Sequence, residues 1–377
     1  MSDVSDQYRA DFVPVQGHYF LSHSVGRPLK STKHAFEHAF FEPWETQAGG
    51  LWPQWLGVIE DFQAALATLF HAKPAEFCPQ VNVSSALTKL VMSLDVLQED
   101  EGVVLVSEAD FPTIGFVFQK ALPNPDKQLR FIPKTHDLSD ANMWADYLTD
   151  DVALCLISHV YSNTGQQAPV GDIVPLAKSK NILTVIDAAQ SAGIIPLNLG
   201  ELQPDALIGS SVKWLCGGSG ACYLWIHPEL LEYCQPKDVG WFSHENPFEF
   251  DVHNFRYHPT SLRFWGGTPA IAPYAIASHS ISYLADIGTA RIREHNTYLI
   301  NKVLDELQHE VVSPRDVCKR SGTMVLHFGN KHENISQRLT AANIHVDQRE
   351  LGMRVSPHVY TTSQDIDTLL QTVEDFA

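Results

Sequence analysis

LTVIDAAQSAG (residues 183–193) and DALIGSSVKWLCGGSGACYLWI (residues 205–226) are the two stretches on which the fold turns. LTVID (183–187) is a short apolar run of strand length that ends in Asp187, where a helix can start. DALIGS (205–210) and ACYLWI (221–226) read as strands on either side of Lys213. The glycines at 217, 218 and 220 form a tight turn between them, since G-G-S-G has neither phosphate-loop nor dinucleotide spacing. Toward the N-terminus, VVLVS (103–107) and ALCLIS (153–158) repeat the pattern, with helical stretches between the strands. The alternation predicts an α/β fold with a parallel sheet covered on both faces. Ligands of such sheets sit at the carboxyl ends of strands. There the chain places Ser107 with Glu108, Ser158 with His159, Asp187, and Ser210 with Ser211.

At 377 residues the chain is long enough for one large core and a second, smaller one. The expected division is an N-terminal arm over 1–44, a large domain over 45–255 and a small C-terminal α+β domain over 256–377. The small domain rests on a helical pattern from 269 to 307, a strand at TMVLHF (323–328) and a closing helix at SQDIDTLLQTVEDF (363–376). The Pro-, Asn- and His-rich stretch 236–259 reads as a long functional loop or a connection. A formal net charge of -18 argues against a nucleic-acid or anionic-membrane partner, because both need a basic face. No apolar window of about 18 residues suggests a membrane span. The opening MSDVSDQYRADF lacks the basic and apolar regions of a signal peptide, which makes the cytoplasm the expected location. Six cysteines without a C-x-x-C pair read as buried reduced thiols. His34 and His38 share a helix face at i, i+4, but no acidic third ligand follows at metalloprotease spacing, so no metal is assigned.

The chemistry is carried by the order of Asp187 and Lys213. A lysine amine forms a Schiff base with an aldehyde, and a pyridine-based electron sink works best with a carboxylate beside its ring nitrogen. Asp187 alone reads equally as a helix N-cap, and Lys213 alone as a solvated lysine. A strand-end carboxylate followed some twenty residues on by S-x-x-K points to pyridoxal 5′-phosphate.

The chain resembles the class V aminotransferase family of fold-type I pyridoxal-phosphate enzymes. The likeness runs from YFLSHSVGRPLKS (19–31) to GMRVSPHVYTTSQDID (352–367), through EADFPT (108–113), HVYSNTG (159–165), DAAQSAG (187–193), SSVKWLCGG (210–218), GWFSH (240–244) and FWGGTPAI (264–271). Within the family the motifs are most similar to kynureninase, with some features of cysteine desulfurases. The resemblance implies a mainly parallel seven-stranded sheet, and Lys213 as the Schiff-base lysine and proton shuttle. It implies Asp187 at the pyridine nitrogen, Phe111 stacked on the ring and Gln190 at the phenolic oxygen. Ser84 and Ser85, at the start of the helix in NVSSALTKL (82–90), would hold the phosphate with Ser210, Trp241 and Thr268. In the family the last of these comes from the partner subunit, which implies a homodimer with shared active sites. Arg354 stands where the family holds the substrate α-carboxylate, a contact suited to a planar guanidinium.

Kynureninases carry a histidine at the position of Gln190, a tyrosine at Val212 and an aspartate at Ile114. Desulfurases carry a cysteine in the loop that here reads RVSPHVYTTS (354–363), and Cys216 reads as structural. The expected function is action on a small amino acid through an external aldimine, with the reaction beyond it open. The alternatives are a kynureninase-type hydrolase and a non-catalytic protein that binds the cofactor.

Overall fold

The computed structural model describes residues 4–99, 102–307 and 309–374, so Asp375 and Phe376 of the expected closing helix lie outside the described residues. The five expected strands form at Val103–Ser107, Val152–Ser158, Leu183–Asp187, Ala206–Ser210 and Cys222–Ile226. They join two more in a seven-stranded sheet. Its order is Phe77–Gln80, Cys222–Ile226, Ala206–Ser210, Leu183–Asp187, Val152–Ser158, Val103–Ser107, Leu129–Ile132. Neighbours are parallel except at Cys222–Ile226, which runs antiparallel to both of its partners. The two additional strands are the sheet's edges. FCPQ contains Pro79, and LRFI carries Arg130, whose guanidinium reaches Asp151 outside the sheet. Edge strands need only one apolar neighbour and tolerate both residues, which weakens their signal in a sequence.

The interior strands alternate strictly between two cores. Val103, Leu105, Cys155, Ile157, Ile186 and Leu207 face one, while Val104, Val106, Leu154, Leu156, Val185 and Ile208 face the other. The helix Leu51–Phe70 covers the first face with the helix Ala272–Ile287, where Phe62 meets Tyr274 at 4.9 Å between ring centroids. Phe264 lies in the second core and Tyr274, Ile281 and Ile287 in the first. The expected division at residue 256 therefore falls inside the large packed unit. The helical pattern expected over 269–307 is two helices, Ala272–Ile287 and Thr289–Glu306, parted at Gly288. Gly288 has φ +87, a conformation that a Cβ would strain.

The smaller unit has its own core, which includes Leu299, Val303, Met324, Met353, Ile366 and Leu369. Its three-stranded antiparallel sheet is ordered Asp347–Arg349, Gly352–Val355, Met324–Leu326. The beginning of the chain belongs here too. His18–Tyr19 pairs in parallel with Ile344–His345, and Phe20 is fully buried in the small core. Removing a buried phenylalanine side chain costs about 3–5 kcal/mol, so this segment is part of the small unit's stability. Among the described residues, no helix is long and apolar enough to cross a membrane.

His358 joins the two units. Its Nε2 donates to the Trp214 carbonyl at 2.9 Å, and its Nδ1 accepts from the Val359 N–H at 2.7 Å. Only the neutral ring satisfies both partners, and burial pushes its pKa down to about 4. The folded value lies below the unfolded one of about 6.5. Stability held by the neutral ring is thus complete above about pH 6.5 and is lost as pH falls toward about 4, at up to about 1.4 kcal/mol per pH unit. Buried His159, also pushed down to about 4, acts in the same window. The thermal midpoint should fall steeply across this range, and His358→Gln should flatten the fall by one proton's share. A profile of unchanged slope in the variant would exclude His358 as a source.

Candidate active site

The parallel strands bring Ser158, Asp187 and Ser210 to one edge of the sheet. Ser158 is in register with Asp187, and Ser210 with Cys222. Beyond Ser210 the chain turns through Ser211–Gly220, closed by Gly217 N–H to Ser211 O at 2.8 Å and Ser211 Oγ to Ala221 O at 2.7 Å. Lys213 projects from this turn. The N-terminal segment closes over it, with Gly26 N–H donating to Val212 O at 2.8 Å. A Cβ at Gly26 would stand 2.1 Å from Lys213 O, so glycine is required for the approach.

A cavity of about 270 Å³ lies at this edge, lined among others by Ser84, Phe111, Asp187, Gln190, Ser210 and Lys213. Lys213 Nζ sits 5.9 Å from the centre of the Phe111 ring. Asp187 Oδ1 accepts from Ala189 N–H at 2.8 Å, so the carboxylate is both a local cap and a wall of the cavity. Burial pushes Lys213 below the usual lysine range and Asp187 above the usual carboxylate range, and their mutual attraction works against both shifts. Gln190 Nε2 donates to His23 O at 3.1 Å, while its buried Oε1 has no protein partner.

A second lobe of about 380 Å³ shares Phe111, Ser162, Gln190 and Lys213 with the first and adds His23 and Arg354. Arg354 is 4% exposed. Its Nε donates to Asp347 Oδ1 at 2.8 Å, its Nη2 to Asp347 Oδ2, and its Nη1 to Ser162 O at 3.1 Å. Three of the five N–H donors of a guanidinium are thereby taken. The remaining two, one on each terminal nitrogen, are left for a further acceptor such as a carboxylate.

Some expected residues are not brought here within one chain. Ser85 lies at the start of the Val83–Ser93 helix, where its N–H donates to Asn82 Oδ1 at 2.7 Å, and it lines a separate hollow with Lys89 and Lys237. Trp241 packs against Trp52 and Phe242, and Thr268 is exposed. Cys216 is 2% exposed, lines neither lobe, and has its thiol pushed up to about 12 by burial. Cys222, by contrast, lines the cavity and was unmarked in the sequence. Ser162 and Asp347 were unmarked as well, and His23 was expected only as one of a segment, 22–28, beside the substrate side chain. His23 sits inside the YFLSHSVG motif with nothing around it to indicate a partner more than three hundred residues away. His38 bonds Glu42 at 2.9 Å, and no metal-binding cluster occurs among the described residues.

These residues fit pyridoxal 5′-phosphate. The cavity offers an amine, a carboxylate at a strand end, an aromatic face, and an orphaned amide oxygen at Gln190. A helix start holds Ser84 at its rim.

The sequence matches the family model described as Aminotransferase class-V over residues 57–369. It is 25% identical over 375 residues to the uncharacterized aminotransferase YcbU of Bacillus subtilis, covering 97% of this chain and 96% of that one. It is 26% identical over 333 residues to a kynureninase of Pseudomonas fluorescens, covering 83% and 77%. In structure it is similar to a cysteine desulfurase of Thermococcus onnurineus, with a TM-score of 0.86 at 22% identity, covering 98% and 97%.

Borohydride reduction of the cofactor-loaded protein followed by peptide mapping should place the pyridoxyl group on Lys213. Recovery of the label on Lys89 or Lys178 would overturn the assignment.

Proposed function

The chain belongs to the class V aminotransferase family, and on that footing we propose that it transfers the amino group of a small α-amino acid. It is a pyridoxal-phosphate-dependent enzyme, and the cofactor when bound supplies an electron sink for the bonds at the substrate Cα. In this reading Lys213 Nζ holds the cofactor, Asp187 faces its ring nitrogen and Phe111 its ring. Gln190 faces the phenolic oxygen, and Ser84 with Ser210 faces the phosphate.

The single observation that carries the reading is the continuity of the two lobes, which puts Lys213 and the two spare Arg354 donors on one space with Phe111 and Gln190 between. Arg354 takes the α-carboxylate and so fixes the Cα–H direction relative to Lys213 Nζ. Lys213 is the one amine that lines both lobes among the described residues, and burial already lowers its proton affinity. A base of that kind suits taking and returning a proton on one face of Cα. His23 also reaches the second lobe, but both of its ring nitrogens are engaged elsewhere.

Kynurenine cleavage is the second reading, favoured by the Pseudomonas relative. Against it, Ile114 lines the cavity where kynureninases carry an aspartate, and Val212 has no hydroxyl to donate. Desulfuration would need an accessible thiolate; the thiol of Cys216 is buried away from the lobes, and that of Cys222, which lines the cavity, is held toward its protonated form by burial. A binding role without turnover leaves the set of Lys213, Asp187 and Arg354 without a purpose.

Single-turnover mixing of the loaded protein with a panel of small L-amino acids should release the matching keto acid, about one per subunit. Lys213→Ala should abolish that release. Kynurenine should turn over slowly or not at all, and release of alanine at about 1 per second or faster would establish the hydrolase instead.

The same reading places Trp241 and Thr268 at a neighbouring subunit's phosphate. The exposed Phe248, Phe250 and Val252 beside Trp241 form an apolar surface for that contact. Light scattering at low micromolar concentration should show a dimer. A monomer that retains its cofactor would exclude shared sites.

A further inference from the structure

Arg354 does not stand alone in its lobe. Asp347 holds it by two contacts, and His23 Nε2 lies 2.8 Å from the same carboxylate. The other ring nitrogen, His23 Nδ1, lies 2.7 Å from Ser356 Oγ, which in turn is 2.8 Å from Thr323 Oγ1. These partners suit a ring donating from Nε2 to Asp347 and bonded at Nδ1 to the serine, and burial beside the Arg354 and Lys213 charges favours its neutral form, accepting at Nδ1. His23 is 1% exposed, and its ring is held at both ends.

The backbone of the same residue faces the other way. His23 O accepts from Gln190 Nε2 at 3.1 Å, and the opposite end of that amide is the unpartnered oxygen in the cofactor lobe. Gln190 follows a central strand of the large sheet, whereas Asp347, Arg354 and Ser356 lie on or beside strands of the small one. A continuous run of hydrogen bonds thus leads from the cofactor wall, through one residue of the N-terminal segment, to the guanidinium.

We propose that His23 is a positioning residue that fixes Asp347, and through it the two free N–H donors of Arg354, in line with the cofactor lobe. The inference rests on Arg354 as the carboxylate site and adds what aims it. Asp347 has three suitors, Arg354, His23 and the half-exposed Arg349, whose Nε is 3.4 Å away. Without the His23 donor the carboxylate is free to swing toward Arg349, and the guanidinium turns with it. Because the ring is neutral, removing it changes the geometry of the lobe and leaves its charge as it was. A variant at His23 therefore separates aim from attraction, which a variant at Asp347 would not.

The probes are L-alanine and L-alaninamide, which share the amine and differ in the carboxylate, titrated against the loaded protein by its absorption spectrum. Wild type should bind alanine more tightly than the amide. His23→Ala should weaken alanine on the order of tenfold, the scale of one lost hydrogen bond to a charged group, with the amide and the cofactor dissociation constant unchanged. His23→Gln, which keeps a donor within reach of Asp347, should recover most of the loss. If His23→Ala does not fold, Ser356→Ala frees the same ring and should weaken alanine alone by a smaller factor. Equal weakening of both probes, no change in either, or no recovery with glutamine overturns the positioning role. A wild type that binds both probes alike refutes Arg354 as the carboxylate site, and this inference falls with it.

Discussion

A carboxylate and an amine, Asp187 and Lys213, share one end of one sheet, where burial works against the charge of each and their mutual attraction restores part of it. The surrounding construction keeps the two apart but mutually visible. Parallel strands deliver Asp187 to the edge, and a helix start caps it through Ala189. The turn after Ser210 is closed by its own backbone, and the N-terminal segment packs on it at Gly26, where no side chain fits. A ligand that brings compensating charge to both groups is favoured by such an environment.

The lobe at Arg354 follows a different logic. Arg354 is also buried, but its charge is matched at once by Asp347, whose carboxyl lies below the usual range. Burial alone would raise it, and the hydrogen bonds from His23 and Arg354 outweigh that effect. A guanidinium can be neutralised along one edge and still offer donors along another, a property that an ammonium lacks. The large sheet thus presents two groups whose charges burial opposes, while the small sheet presents a charge already balanced by its neighbour.

What could be read from the residues follows this division. Strands buried on both faces announce themselves by β-branched runs, and all five interior ones were legible to within a residue or so of their ends. The places of Asp187 and Lys213 in the fold were legible because each closes a local pattern, a strand end or a turn. The edge strands, with Pro79 and Arg130, gave little apolar signal, and the helix break at Gly288 was hidden by apolar periodicity that continues across it. The N-terminal arm, the partners of Arg354 and the thiol of Cys222 depend on contacts between distant parts of the chain. His23 and Asp347 are 324 positions apart, and no local spacing encodes that pairing. The division near residue 256 failed for a related reason, since the loop-rich composition there marks a surface excursion and the chain then returns to the large core at Phe264.

The parallel pairing of His18–Tyr19 with Ile344–His345 bears on how the protein comes into being. On a ribosome the first of these strands emerges more than three hundred residues before its partner exists. Until then Phe20 and the residues around His23 have no core to enter. Contacts of such long sequence separation form late and slowly, because the loop they close spans more than three hundred residues. The large sheet, whose strands lie between residues 77 and 226, has no such dependence and can assemble during synthesis. The order of birth is then fixed by topology: a framework that already carries Asp187 and Lys213 first, and the lid of N-terminal chain that shuts over it last.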